Sequence, residues 1–231
     1  MILAVTAGKG GVGKSTVAYN LAAELDAVAI DADLGMADLP ERRGPDLHDV
    51  LAGRATPVEA VREDGPVSIL PCGRSLAGAR AADPTALVEA VERVASQYGR
   101  VVIDSPAGMR SDAGLPLLAA DACLLVTRPN RPALADAIRT RELARVIETP
   151  LCRVALNRVE PEKLETNHRQ LATAFGAPVV ALPESSTVAQ AQRAGQPVST
   201  VAPSSRAATQ LQELAKEVER SCNPQAVVKS A

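Results

Sequence analysis

The 231 residues predict an α/β chain, a doubly wound, mostly parallel sheet with helices on both faces. Three observations carry that expectation. Short apolar runs alternate along the chain with longer stretches of helical period. The runs are almost wholly apolar, as in "ILAVT", "VVID" and "ACLLVT". Strands of that kind are buried on both faces, as in a parallel sheet, whereas a sheet with one wet face alternates apolar and polar residues. The first run also passes through a glycine-rich turn straight into a helical pattern, which is the opening of a strand–loop–helix unit.

The elements follow in order. Residues 2–6 are the first expected strand, 7–16 ("AGKGGVGKST") the turn, and 17–25 a helix whose Val17, Ala18, Leu21, Ala22 and Leu25 share a face. Further strands are expected at 28–30, 67–70, 100–104, 122–127, 153–157 and 179–182, and helices at 46–51, 57–62, 84–97, 133–147, 166–175 and 205–220. No repeat, low-complexity linker or break in composition divides the chain. A single domain over residues 1–220 is expected, with a short tail over 221–231.

Composition narrows the function. There is no Trp, Phe175 is the lone phenylalanine and there are two tyrosines, so the core must be built from Val, Leu, Ile and Ala. Aromatic platforms for stacking single-stranded bases are excluded. A net charge of −2 with interspersed signs exerts no overall pull on nucleic acid or an anionic membrane. The first expected strand begins at Ile2 and leaves no room for a secretory leader, and no apolar run approaches the ~18 residues of a spanning helix, so a soluble, cytoplasmic protein is expected. Cys72, Cys123, Cys152 and Cys222 form no C-x-x-C pair and read as buried thiols rather than metal ligands. His48 and His168 lack ligand-like neighbours in the sequence.

The turn carries the chemistry. Gly8, Gly13, Lys14 and Ser15 fit G-x-x-x-x-G-K-[ST]. Such a loop wraps backbone N–H groups round a phosphate at a helix N-terminus, where orphan amides and the helix dipole both favour negative charge. Glycines at 8, 10, 11 and 13 allow that backbone path. Lys14 would neutralise β- and γ-phosphates, and the Ser15 hydroxyl would meet Mg²⁺. A glycine-rich turn without chemistry is the plainer alternative, but motif and context agree. Lys9 then stands out as a second lysine where one serves the phosphates.

Ligands of doubly wound sheets bind outside the carboxyl ends of the strands, and three more polar clusters fall there: "DADLG" at 31–35, "DSPAG" at 104–108 and "LNR" at 156–158. Asp104 closes a buried strand, the place of a carboxylate that holds Mg²⁺ directly or through water. Gly108 could bring an N–H towards a γ-phosphate. Asp31 and Asp33 start on opposite faces if their strand continues, so one would be structural and the other would face nucleotide; Asp33 is the preferred site residue. Asn157 offers the donor and acceptor that suit the edge of adenine. A guanine-reading N-K-x-D pattern is absent, because Asn157 is followed by Arg158, Val159 and Glu160, which favours ATP.

Together these residues resemble the MinD/ParA family of deviant Walker A ATPases. "KGGVGKST" resembles the family's loop, with Lys9 in the position of its signature lysine; "DADLGMADL" resembles switch I and "VVIDSPAG" switch II. "DLHDVLAG", 46–53, resembles a helix of the MinD branch, and "ALNRV" with "LPESSTVAQAQRAGQPV" resembles the adenine-pocket strand and the segment after it. The resemblance implies a P-loop fold of deviant Walker A type and an ATP-dependent homodimer that hydrolyses ATP slowly with Mg²⁺, stimulated by a partner, to position a cargo. Gly8, Lys9, Gly10, Gly11, Val12, Gly13, Lys14, Ser15 and Thr16 would wrap the phosphates of ATP or ADP. Asp33 would position the attacking water, Ser15, Asp33 and Asp104 would serve the metal, and Asn157, Arg158 and the backbone near Pro183 would meet adenine. Lys9 would reach the nucleotide of the other subunit, which with Lys14 and Asp33 makes three catalytic candidates.

The sequence departs from that family in two places. Between Leu39 and Asp46 stands only "PERRGP", shorter than MinD proteins carry. The expected last helix places Ala208, Leu211, Leu214, Ala215 and Val218 at core-packing spacing, and the tail after it has one lysine and a proline, which is little for a membrane anchor. Peripheral membrane contact is therefore expected only through a partner. A ParA-like DNA-binding reading rests on seven arginines against three acids between 128 and 158, for which a solvated helix face is the preferred explanation. A metal-cluster carrier would need paired cysteines, which the sequence lacks, although single cysteines could meet across a two-fold axis.

Overall fold

Every expected strand lies in one sheet of the computed structural model, which describes residues 1–35, 39–40, 43–108, 113–160 and 168–222. The strands are β1 (Ile2–Thr6), β2 (Val28–Asp31), β3 (Ile69–Leu70), β4 (Val101–Asp104), β5 (Ala122–Thr127), β6 (Leu151–Val159) and β7 (Val179–Pro183). Their order across the sheet is β3-β2-β4-β1-β5-β6-β7, with every neighbouring pair parallel. An isolated antiparallel bridge, Arg62 to Ile69, adds to the β3 edge.

Between the strands lie α1 (Lys14–Glu24), α2 (Leu47–Leu51), α3 (Pro57–Ala60), α4 (Leu76–Ala81), α5 (Leu87–Tyr98), α6 (Gly114–Ala119), α7 (Arg131–Val146), α8 (His168–Phe175), α9 (Ser186–Arg193), α10 (Val198–Val201) and α11 (Arg206–Cys222). Local chemistry starts several of them. Asp46 and Asp49 form a reciprocal capping box at α2, Thr56 and Glu59 another at α3 ahead of Pro57, and the Asn130 side chain accepts from the Ala133 amide at α7. The helices α4, α6, α9 and α10 have no counterpart among the expected elements. They are four to eight residues long, too short to display a clear helical period, and unlike the equally short α2 and α3 they carry no reciprocal capping box. Of the expected helix 166–175, residues 166 and 167 lie outside the described residues, as does the expected tail from 223 on; α11 itself continues to Cys222.

The apolar strands are buried on both sides, as their composition demands. In β1, Leu3 and Val5 belong to the core under α1 and α11, while Ala4 faces α6 and α7 with Leu117, Cys123 and Ala144. In β4, Val102 joins the first core, while Val101 and Ile103 face Leu87, Val91 and Val94 of α5. Helix α11 buries Ala207, Ala208, Leu211, Leu214, Ala215 and Val218. The face that an amphipathic anchor would offer to lipid is thus spent on the core. Among the described residues no helix is long and apolar enough to cross a membrane.

Strand order puts the carboxyl ends of β2, β4 and β1 side by side. Asp104 is in register with Val5 on one flank and Asp31 on the other. The loop after β1 therefore opens beside two acids that are distant in sequence.

Phe175, 2% exposed, fills the space between α8 and the strands β5 and β6 with Leu125, Ala137 and Val154. Phe175→Ala is expected to lower the unfolding free energy by about 3–5 kcal/mol in urea titrations. A loss below about 1 kcal/mol would mean that α8 collapses into the gap and is not held by its phenylalanine.

Candidate nucleotide site

The loop between β1 and α1 depends on two close approaches that glycine alone permits. Gly13 takes a left-handed conformation at φ 98° just before α1, and a Cβ there would sit 2.2 Å from Nδ2 of Asn157. Gly8 is required for another reason. A Cβ on it would lie 2.3 Å from both the carbonyl carbon and oxygen of Asp136, so the first glycine of the motif is where α7 packs its backbone on the loop.

Asn157 braces this loop from the far side. Its Nδ2 donates to the Val12 carbonyl at 2.8 Å, and its Oδ1 accepts from the Arg158 amide at 2.9 Å. One N–H and one carbonyl lone pair of the amide remain for a base. Successive strand residues would normally point to opposite faces. Here the pairing of β6 with β7 shifts between Asn157 and Val159, and Arg158 has φ 56°. That bulge lets Asn157 and Arg158 line the same cleft, and a non-glycine residue in this region is the kind of strain found at functional sites.

The two lysines have opposite environments. Lys14 is 5% exposed; its Nζ forms an ion pair with Oδ1 of Asp104, itself fully buried, and lies 3.3 Å from Oγ of Ser15. Lys9 is exposed. Both line a cleft of about 480 Å³ together with Gly10, Gly11, Gly13, Ser15, Thr16, Asp33, Gly35, Ala107 and Arg158. The two aspartates of "DADLG" divide as well. Asp33 reaches the cleft, whereas the fully buried Asp31 accepts from the amides of Asp33 at 3.3 Å and Leu39 at 3.1 Å and so shapes the turn. Residues 36–38 of the expected switch I and 41–42 of the short segment after it lie outside the described residues. The Gly108 amide donates to the Ala7 carbonyl at 3.0 Å, which ties switch II to the loop.

A second cleft, of about 230 Å³, adjoins the first and shares Gly13, Thr16, Arg158 and Gln192 with it. Asn157, Leu182, Pro183, Val188 and Leu211 line it, an apolar slot with a few polar groups at its edge. Sequence reasoning names Asn157, Arg158 and Pro183 here but misses Asn20, Val188, Gln192 and Leu211. The signal for Asn20 was its place four residues after Thr16 on one helix face. Asn20 donates to the Thr16 carbonyl at 2.8 Å and accepts from the Val198 amide at 2.7 Å, and the Tyr19 hydroxyl donates to the Gly195 carbonyl at 2.9 Å. These bonds pin the segment carrying α9 and α10 onto α1 as the outer wall.

Ser15, Asp33 and Asp104 offer hard oxygen donors beside the loop. Among the described residues no three His, Cys, Asp or Glu side chains converge on one point. Mg²⁺ commonly uses one or two carboxylates and takes its remaining ligands from phosphates and water, so this donor set fits it. Three of the four cysteines lie away from the loop: Cys123 and Cys152 are buried in β5 and β6, and Cys222 packs on the same core as Cys152. Cys72 sits beside Asp33. Burial, and then the carboxylates of Asp31, Asp33 and Asp46, push its thiol far above the ordinary range, so it stays protonated.

Residues 3–198 match the model of the CobQ/CobB/MinD/ParA nucleotide binding domain. The chain belongs to this family. It is 36% identical over 203 residues to an uncharacterized ATP-binding protein of Methanocaldococcus jannaschii, covering 83% of this chain and 77% of that one. It is 30% identical over 180 residues to the septum site-determining protein MinD of Synechocystis, covering 72% and 67%. The cell division ATPase MinD of Pyrococcus furiosus superposes with a TM-score of 0.85 at 28% identity, covering 95% of this chain and 98% of that one. The MinD of Pyrococcus horikoshii, solved with Mg-ADP, does so at 0.84 and 28%, covering 95% and 96%. Within the family the likeness runs to the MinD branch, as the loop and switch motifs imply.

Gly8→Ala is expected to destabilise the fold by about 1–3 kcal/mol, because the new methyl must displace backbone of α7 and no flexible side chain can yield. Unchanged urea midpoints would show that loop and helix separate without cost.

Proposed function

We propose that this protein is a MinD-like ATPase, which binds Mg-ATP in the two adjoining clefts, dimerises on doing so and hydrolyses the nucleotide slowly as a switch for a partner or cargo protein. The observation that carries the reading is the contrast between the lysines: Lys14 is buried against Asp104, while Lys9 stands exposed on the wall of the same cleft. Lys14 is committed to its own loop, whereas an exposed Lys9 is free to reach a second molecule.

The residues divide the work. The loop amides and Lys14 hold the β- and γ-phosphates, and a triphosphate gives Lys14 a second anion beside Asp104. Asn157, Arg158 and the backbone at Pro183 meet the base in the apolar slot. Asp33 accepts a hydrogen bond from water and aims its oxygen at the γ-phosphorus, so that the bond to the ADP oxygen breaks as the new P–O bond forms. Ser15, with Asp33 and Asp104 close by, would hold Mg²⁺, which when bound would supply charge neutralisation at the phosphates. Lys9 crosses to the partner's nucleotide and stabilises charge there, as a cation supplied in trans does.

The arginine-rich stretch argues for a protein switch rather than a DNA binder. Arg139 pairs with Asp136, Arg141 and Arg145 with Glu142, and Arg153 with Glu217. Four of the seven arginines in that stretch are matched with acids. The MinD of Aquifex aeolicus has been solved in complex with MinC, which makes a protein partner a natural expectation for this chain too.

The test is light scattering with Mg-ATP. Wild type is expected to form a dimer, and Lys9→Ala to bind ATP in calorimetry yet stay monomeric and lose most turnover. A Lys9→Ala chain that dimerises as readily as wild type would reduce Lys9 to a local phosphate ligand and remove the trans mechanism. Asp33→Ala is expected to bind ATP with near wild-type affinity, turn it over about a hundredfold more slowly and accumulate as the dimer on a sizing column. Wild-type turnover in that variant would take Asp33 out of the mechanism.

A further inference from the structure

Asp33 can aim a water only if its backbone is held, and two side chains outside the nucleotide site hold it. Helix α2 is docked on the end of β3 by its own amides, Leu47 N–H to the Pro71 carbonyl at 2.8 Å and His48 N–H to the Cys72 carbonyl at 3.2 Å. From that platform the His48 side chain, 2% exposed, brings Nε2 to 3.2 Å from the carbonyl oxygen of Leu34. The fully buried Cys72 brings Sγ to 3.2 Å from the carbonyl oxygen of Asp33. Sγ and Nε2 are 3.5 Å apart.

A carbonyl oxygen can only accept, which settles the donors. The thiol gives its S–H to Asp33 and the imidazole its Nε2–H to Leu34, so the tautomer carries its proton on Nε2. Buried backbone carbonyls need such donors, and among the described residues the pairing of β2 with β3 ends at Ile30 and Leu70, short of this turn. Gly78 closes the other side: a Cβ on it would lie 3.1 Å from both Cβ and Nδ1 of His48, so the ring is backed by the α4 backbone. On the opposite side of the turn, the Asp31 carboxylate takes the amides of Asp33 and Leu39. The Asp33–Leu34 backbone is thus gripped by its carbonyls from α2 and from the segment just after β3, and by an amide from β2.

We propose that His48 and Cys72 are positioning residues for Asp33: together they fix the two carbonyls of the switch I turn and so hold the Asp33 carboxylate towards the phosphates. Neither touches the nucleotide. The inference rests on the reading of Asp33 as the residue that orients water. It also means that displacement of α2 or of the β3 edge, for instance by a docking partner, is transmitted to Asp33 through two hydrogen bonds.

The full-length chain tests this with four variants, His48→Ala, His48→Gln, Cys72→Ala and Cys72→Ser. Gln keeps an N–H at the reach of Nε2, and Ser keeps a hydrogen-bond donor at the place of the thiol. Without nucleotide, amide exchange at Asp33, Leu34 and Gly35, read by NMR, is expected to quicken roughly five- to tenfold in each alanine variant, the factor that one lost hydrogen bond implies, and to slow again in Gln and Ser. With Mg-ATP, the alanine variants are expected to keep Kd within about twofold while kcat falls about tenfold or more, because aim is lost and binding is not. Unchanged exchange at the turn in both alanine variants would overturn the proposal. So would a fall in ATP affinity and kcat that tracks the melting temperature without rescue by Gln or Ser, since that is a merely structural role. If wild type itself turned over no ATP, the proposed ATPase function would fall on that result, while the exchange measurement would still decide whether His48 and Cys72 hold the turn.

Discussion

The buried ion pair of Lys14 with Asp104 is the constraint on which the site depends. Both groups are almost wholly removed from water, and each ion costs several kcal/mol to desolvate unless its partner is close. Their closeness is a matter of strand order. Lys14 opens α1 after β1, Asp104 ends β4, and β4 is the immediate neighbour of β1 in the sheet although ninety residues separate the two side chains. A buried pair of this kind is weak evidence for stability, because apolar replacements are often neutral or better. Its presence at the mouth of a phosphate loop is better understood as charge kept for use.

The sheet supplies the rigidity that such a pair needs. Strands buried on both faces leave little room for the loop to relax, and the loop pays for that in glycine: α7 comes so close to Gly8, and Asn157 to Gly13, that neither position accepts a Cβ. The phosphate loop is therefore held from three directions, by β1 beneath it, by α7 at its start and by β6 at its end. Preorganisation of this kind lets backbone amides meet an anion with no reorganisation at the moment of binding.

Two walls flank this centre. On the β6 and β7 side, α9 and α10 are tied to α1 through Asn20 and Tyr19 and close the apolar slot. On the β2 and β3 side, α2 and β3 carry His48 and Cys72 to the switch I turn. Both walls are also seated in the cores, through Ala191 and Val198 on one side and Leu47, Leu51 and Leu70 on the other.

The sequence by itself determined the strands, the loop and the principal charges. The apolar runs mark β1, β2, β4 and β5 to within a residue, because burial on both faces leaves a composition that no neighbour needs to explain. The G-x-x-x-x-G-K-S motif marks the loop, since its chemistry lies in the backbone and is written in consecutive residues. The short helices α4, α6, α9 and α10 were not legible, because they are brief and, unlike the equally short α2 and α3, have no reciprocal capping box to mark their starts. Only the tertiary structure decided that Asp31 braces the turn while Asp33 faces the cleft, that Gly8 answers to α7, and that Asn20, Gln192, His48 and Cys72 matter to the site. The reason is distance along the chain: Asn157 meets Val12 across 145 residues and Cys72 meets Asp33 across 39. Local pattern encodes which way a backbone runs and which face is dry, but not which distant side chain the strand order will bring beside it.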